Sequence, residues 1–106
     1  MPELISVTEL SNLKNTTIID VRKSPSRAKS GLTMPGAVWR APFAAENWWQ
    51  EFAGKRVVVF CVHGHEVGMA VAGFLNDQGV EAQYLEGGFE TYREAGGAVE
   101  AINNDQ

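Results

Sequence analysis

The sequence has little cysteine, no long apolar run and, in its second half, almost no basic residues. Its single cysteine, Cys61, cannot form an internal disulfide and excludes a zinc site built from cysteines alone. No apolar run approaches the roughly 18 residues that a membrane-spanning helix needs, and the N-terminal residues form no apolar signal segment. We therefore expect a soluble, cytoplasmic protein that does not engage a membrane.

Length and composition are those of an ordinary globular chain. The 106 residues are 44% hydrophobic and 21% charged, which excludes a disordered chain, collagen and a coiled coil. At roughly 100–200 residues per domain, this length predicts a single domain over residues 1–106, in which residues 103–106 form a frayed tail.

The net charge of −4 is unevenly distributed along the chain. Residues 1–60 hold eight Lys or Arg and five Asp or Glu, whereas residues 61–106 hold one Arg and eight acidic residues. This acidic balance argues against general nucleic-acid binding. The basic cluster from Arg22 to Lys29 is nevertheless suited to a small anion.

Strand patterns alternate with helix patterns along the chain. Apolar and β-branched runs predict strands over residues 4–5, 16–21, 37–39, 56–61 and 81–85. Apolar residues at helical spacing predict helices over residues 43–53, 67–78 and 89–95, and Ser6 with Glu9 forms a capping box that begins an earlier helix. We interpret residues 24–26 as a break in regular secondary structure and residues 31–36 as a loop. This alternation is typical of an α/β fold with a parallel sheet.

Cys61 ends the strongest predicted strand. The continuous apolar run before it is typical of a central parallel strand that is buried on both faces. Ligands of such sheets bind beyond the carboxyl ends of the strands, so position alone predicts a site at Cys61. Backbone N–H groups of the following loop, together with a helix N-terminus, would stabilise a thiolate and lower the thiol pKa below about 8.5. The alternative is a buried structural cysteine.

Four segments occur in an order that carries a family resemblance: Ile18-Ile-Asp-Val-Arg22, Gly31-Leu-Thr-Met-Pro-Gly-Ala37, Val57-Val-Val-Phe-Cys61 and Gly79-Val-Glu-Ala-Gln-Tyr-Leu-Glu-Gly-Gly88. Together they are similar to segments of the rhodanese family of sulfurtransferase-like domains. The second segment is one residue longer than the family's Gly-His-Ile-Pro-Gly-Ala and lacks its histidine. The resemblance covers most of the chain.

The resemblance implies a rhodanese-like fold, with a five-stranded parallel sheet and helices on both faces. It also implies that Cys61 takes a sulfane sulfur from thiosulfate or a persulfide donor, becomes a persulfide, and passes the sulfur to cyanide or a thiol. A sulfur-relay protein is a further candidate partner, and no metal or organic cofactor is required. Backbone N–H groups of the loop would bind the donor, and this loop comprises Val62, His63, Gly64, His65, Glu66 and Val67.

The loop departs from the family pattern at Glu66. The usual loop is Cys-x-x-x-x-Arg, so a carboxylate stands where an arginine would hold a dianionic donor. We expect Glu66 to cap the following helix. His63 and His65 are then candidates for donor binding, with exposed loop histidines as the alternative.

Positive charge for the donor has to come from outside the loop. Arg22, Arg27 and Arg40 are the candidates, because they follow or lie between strands whose carboxyl ends share the edge of Cys61. For Arg22, an ion pair with Asp20 is the alternative.

The sequence leaves three alternatives to sulfur transfer. Glu66 favours a weakly catalytic or non-catalytic rhodanese-like module that binds a partner or senses oxidants. An enzyme that handles arsenate or chromate is the less favoured alternative. A phosphatase of the related Cys-x5-Arg type would need an arginine at position 67, which is Val67. A metal site of Cys61, His63, His65 and Glu66 is disfavoured, since residues so close in one loop cannot all converge on a tetrahedral ion.

Overall fold

The computed structural model describes residues 2–63 and 65–102. The predicted frayed tail over residues 103–106 lies outside the described residues, and so does Gly64.

Five of the strands form one parallel sheet. The described strands are β1 (Glu3–Ile5), β2 (Thr17–Asp20), β3 (Leu32–Thr33), β4 (Val38–Trp39), β5 (Arg56–Phe60), β6 (Glu81–Leu85) and β7 (Glu100–Ala101). The parallel sheet has the order β1-β6-β5-β2-β4, so β5 lies at its centre. Val57, Val58 and Val59 in β5 are completely buried, because helices cover both faces of the sheet. The predicted α/β fold and its five strands are confirmed.

The helices pack on both faces of this sheet, as predicted. They are α1 (Val7–Ser11), α2 (Ser24–Ser30), α3 (Ala45–Trp48), α4 (Glu66–Asp77) and α5 (Gly88–Glu94), with a 3-10 helix over Trp49–Phe52. Residues of α3, the 3-10 helix and α4 share one core cluster, and residues of α1 and α5 share the other. The capping box is also confirmed, because the Ser6 hydroxyl accepts from the Glu9 N–H and the Glu9 carboxylate accepts from the Ser6 N–H. None of the described helices is long and apolar enough to span a membrane.

The segment around Pro25 is helical, and its interpretation as a break is wrong. Pro25 lies in the first turn of α2, where its missing N–H would have no partner inside the helix in any case. Gly31, with a φ of +70°, ends the helix in the left-handed region that glycine tolerates. The proline therefore starts a helix at the carboxyl edge of the sheet.

Four further details of the elements also differ from the prediction. The loop over residues 31–36 contains β3, which pairs antiparallel with β7 near the end of the described chain. The predicted helix over residues 43–53 begins at Ala45 and tightens into a 3-10 turn after Trp48. The central strand ends at Phe60, so Cys61 is the first residue of the connection, and α4 begins at Glu66 rather than Val67.

Candidate active site

Cys61 lies directly beyond the carboxyl end of the central strand. The N–H of Val21 donates to the carbonyl oxygen of Phe60 at 2.9 Å, which continues the sheet pairing up to the residue before the thiol. Cys61 itself is 8% exposed. The predicted position at the carboxyl edge of the sheet is therefore confirmed, with the thiol buried beneath the surface.

The first turn of α4 packs against the Cys61 sulfur. A Cβ atom built on Gly68, the third residue of this helix, would lie 3.7 Å from Sγ of Cys61 and 3.5 Å from Cβ of Tyr84. A side chain at position 68 would therefore occupy the space beside the sulfur. The glycine leaves room for the helix N-terminus, with its positive end, to approach the thiol closely.

The turn after β6 and the first turn of α5 hold the loop that follows Cys61. The N–H groups of Phe89 and Glu90 donate to the carbonyl oxygens of Cys61 and Val62 at 2.8 and 2.9 Å. The N–H of Gly87 donates to Nε2 of His65 at 3.0 Å. Three hydrogen bonds from one short segment therefore fix the backbone and one side chain of the loop.

His65 is committed to this contact through one of its two ring nitrogens. Because Nε2 accepts a hydrogen bond, the ring in this arrangement is neutral and carries its proton on Nδ1. The ring also lies edge-on to Tyr84, at 5.8 Å between centroids. His65 therefore positions the loop, and only Nδ1 remains to contact a donor.

Cys61 forms part of the wall of a cavity of about 400 Å³. The predicted loop residues within the described ranges all line it: Val62, His63, His65, Glu66 and Val67. The other lining residues are Val21, Lys23 and Ser26, none of which was a predicted site residue, although Lys23 belongs to the basic cluster from Arg22 to Lys29. Lys23 and Ser26 are three residues apart at the start of α2, so recognising Pro25 as a helix-start signal would have put them on one face.

This geometry agrees with comparisons to known proteins. A model of the rhodanese-like domain matches residues 6–95. The chain belongs to the rhodanese-like domain family. None of the curated proteins matches its sequence.

Solved structures share this rhodanese-like fold. A rhodanese-related protein from Thermoplasma volcanium is 24% identical, with a TM-score of 0.81 over 92% of this chain and 97% of that one. A protein of unknown function from Rhodopseudomonas palustris, described as a possible tyrosine phosphatase, is 23% identical with a TM-score of 0.79 over 93% and 85%. Thiosulfate sulfurtransferase from Pseudomonas aeruginosa is 23% identical with a TM-score of 0.75, and the match covers 98% of this chain but 20% of that one.

Burial raises the pKa of the Cys61 thiol in this rhodanese-like domain. The N–H groups of Gly68, Cys61 and Val62 act in the opposite direction, and the charge of Asp20 adds to the rise. The predicted lowering of the Cys61 pKa is therefore wrong in direction. The sequence showed where N–H donors would lie, but the depth of burial depends on how the surrounding elements pack.

We expect the alkylation of Cys61 by iodoacetamide to keep accelerating above a pH of about 8.5, where a free cysteine is half ionised. The folded chain holds this proton more tightly than the unfolded chain, so the free energy of unfolding should fall as the pH rises through that value. Cys61→Ala is the control, and the raised pKa of Tyr92, which also results from burial, is common to both proteins. An alkylation midpoint at or below that of free cysteine would contradict the expectation.

Arg22 and Arg27 are buried and bind the carboxylate of Asp20. Nε and Nη2 of Arg22 donate to this carboxylate at 3.0 and 2.8 Å, and Nε of Arg27 donates to it at 3.2 Å. The Arg22 guanidinium also stacks on the ring of Phe89, 4.4 Å from its centroid. The ion pair that was the alternative for Arg22 is therefore present, and it anchors the elements beneath the site.

Arg40 is also paired with a carboxylate. Its Nε and Nη2 donate to the two carboxylate oxygens of Glu51 at 3.2 and 2.6 Å. None of the three predicted arginines lines the cavity at Cys61. Arg22 and Arg27 share the carboxylate of Asp20 and Arg40 pairs with Glu51, and among the described cavity residues Lys23 is the only Lys or Arg.

Glu66 is the first residue of α4 and is exposed on the cavity wall. Within the described residues, its carboxylate accepts no hydrogen bond from the helix N-terminus, so the predicted cap is not formed. The residue before the helix, His65, provides no side-chain cap either. The Glu66 carboxylate is consequently available to whatever enters the cavity.

Proposed function

We propose that this chain is a sulfurtransferase that carries a sulfane sulfur on Cys61. The observation that carries the proposal is the position of the thiol: it lies in a cavity wall, at the end of the central strand, against the N-terminus of α4. Membership of the rhodanese-like family supports it, as does the shared fold of an enzyme named thiosulfate sulfurtransferase.

The proposed reaction has two displacement steps. The Cys61 thiolate attacks the terminal sulfur of a thiosulfate or persulfide donor, so that an Sγ–S bond forms while the donor's S–S bond breaks and sulfite or a thiol leaves. A thiol or cyanide then attacks the outer sulfur of the Cys61 persulfide, takes that sulfur, and regenerates the thiolate. The electrons of each broken S–S bond leave with the departing group, so no external oxidant or reductant is required.

The backbone N–H groups around the Cys61 sulfur offset the effect of burial in this reaction. Burial keeps the resting thiol largely protonated at neutral pH, because it raises the Cys61 pKa. The N–H groups of Gly68, Cys61 and Val62 stabilise negative charge on the sulfur, so they favour the reactive thiolate and the anionic persulfide. A cytoplasmic location belongs to the proposal, because a reducing compartment protects a lone thiol from oxidation. A sulfur-relay protein is a proposed acceptor.

Mass spectrometry of the intact protein tests this function. After incubation with thiosulfate or an organic persulfide, we expect a gain of one sulfur atom that cyanide removes as thiocyanate. Because Cys61 is the only cysteine, Cys61→Ser should gain none while its thermal unfolding stays close to that of the parent. A wild-type protein that gains no sulfur from any donor would refute the proposal.

A second candidate function is a module that binds a partner without catalysis. The burial and raised pKa of Cys61 favour it, because the thiolate that would attack a donor is scarce at neutral pH. The same mass measurement separates the two functions, since a binding module leaves Cys61 unmodified. Phosphatase chemistry finds no support in the cavity, where Lys23 is the only Lys or Arg among the described lining residues.

A further inference from the structure

The charges on the described wall of the Cys61 cavity are balanced. Lys23 and Glu66 are both exposed and both line the cavity, and the opposite charges of these two side chains cancel. Arg22, Arg27 and Arg40 do not line this cavity, and their guanidinium groups bind Asp20 and Glu51. A dianion such as thiosulfate would therefore gain one favourable interaction, with Lys23, and suffer one unfavourable interaction, with Glu66.

The apolar part of the wall lies next to the thiol. Val21, Val62 and Val67 line the same cavity as Cys61, which is itself 8% exposed. A donor that fits would combine a slender apolar stem, a terminal sulfur and a head group with one charge of each sign.

We infer that the preferred sulfur donor is the persulfide of a small zwitterionic amino-acid thiol, whose carboxylate pairs with Lys23 and whose ammonium pairs with Glu66. This inference rests on the proposed sulfurtransferase function and specifies its substrate class. The methylene stem lies against the valines and presents the sulfane sulfur to Sγ of Cys61. In its R–S–SH form such a donor has no net charge, in keeping with the balanced wall.

The reaction with this donor is balanced. The Cys61 thiolate attacks the terminal sulfur of R–S–SH, so that the Sγ–S bond forms, the donor's S–S bond breaks and its R–S bond stays intact. The thiol R–SH leaves after its sulfur takes the proton that Cys61 gave up on ionising. The number of S–S bonds and the oxidation level of the system are unchanged, so no redox partner is required.

Rates of sulfur loading onto Cys61, followed by mass spectrometry, test the inference. The four donors are cysteine persulfide, N-acetylcysteine persulfide, cysteamine persulfide and thiosulfate. N-acetylcysteine persulfide lacks the ammonium, and cysteamine persulfide lacks the carboxylate. The proteins are the wild type, Glu66→Gln and Lys23→Gln. Each rate is divided by the wild-type rate with the same donor, which cancels the donors' intrinsic reactivities.

We expect the effect of Glu66→Gln to change sign with the donor. Loading from cysteine persulfide should slow about fivefold, the upper range for one exposed ion pair, while loading from thiosulfate accelerates by a similar factor. N-acetylcysteine persulfide lacks the ammonium that would pair with Glu66, so Glu66→Gln should not slow its loading. Lys23→Gln should slow loading from cysteine persulfide and should not slow loading from cysteamine persulfide, which has no carboxylate to pair with Lys23.

Lys29→Gln and Glu94→Gln are the matched controls, because they remove the same charges from exposed positions outside the cavity. Equal factors for all donors in Glu66→Gln, or factors matched by the controls, would overturn the inference and leave the sulfurtransferase function standing. Failure of every donor to load the wild type would overturn both.

Discussion

Replacing Asp20 by alanine should lower the free energy of unfolding by about 3–5 kcal/mol, because it leaves two guanidinium groups buried without their carboxylate. Asp20 is completely buried and accepts hydrogen bonds from the backbone N–H, Nε and Nη2 of Arg22, and from Nε of Arg27. Since small domains have about 5–15 kcal/mol of stability in total, this single change should remove a large share of it. Urea unfolding followed by tryptophan fluorescence measures the loss.

Glu51→Ala is the natural comparison for Asp20→Ala. Glu51 also pairs with an arginine, Arg40, but its side chain is 48% exposed. An exposed pair contributes about 0–1 kcal/mol, so this variant should unfold close to the wild type. Similar losses of free energy of unfolding in the two variants would show that burial does not determine how much the Asp20 ion pairs stabilise the protein.

Replacing Gly88 by alanine should both destabilise the chain and displace the loop that carries the thiol. Gly88 has a φ of +63°, and a Cβ there would lie 2.7 Å from the carbonyl oxygen of Cys61 and 2.8 Å from the carbonyl atoms of Val62. These neighbours are backbone atoms, so relief requires separating the segments that the Phe89 and Glu90 N–H groups join. The strain of a left-handed alanine, about 1–2 kcal/mol, and overpacking, about 1–3 kcal/mol, should both lower the free energy of unfolding of Gly88→Ala.

Gly54→Ala separates the two contributions to the Gly88→Ala effect. Gly54 has a φ of +76°, but nothing lies within 4 Å of a Cβ at this position. It should therefore show only the left-handed strain and keep normal sulfur loading of Cys61. The Gly88 variant should unfold more readily than this control and load sulfur more slowly. Equal stability and equal loading in the two variants would contradict the role given to the contact.

Local sequence signals predicted those parts of the fold that depend on neighbouring residues. The capping box of Ser6 and Glu9 involves residues three positions apart, and the apolar run before Cys61 by itself indicates a central strand. Pro25 was misinterpreted because a proline can end one element or begin the next. The pairing of β3 with β7 joins residues nearly seventy positions apart, for which the sequence contains no local signal.

The site was predicted in part for the same reason. Cys61 and its loop are contiguous in sequence, so their proximity follows from chain connectivity. Lys23 enters the cavity only because α2 starts at the sheet edge, and Gly88 reaches the loop only because α5 packs beside it. For Arg22, the position beyond a strand was correctly predicted, but its guanidinium binds the carboxylate of Asp20 instead of lining the cavity.

The strand order also has a consequence for how the chain acquires its structure. Glu3 in β1 lies opposite Gln83 in β6, so the first strand finds its partner only after most of the chain has been synthesised. Closing so long a loop is slow compared with forming local contacts, whereas β2 and β5 pair over a shorter separation. The pairing of β2 with β5, which places the thiol at the sheet edge, should therefore form early on the ribosome, and β1 should dock later, after β6 has been synthesised.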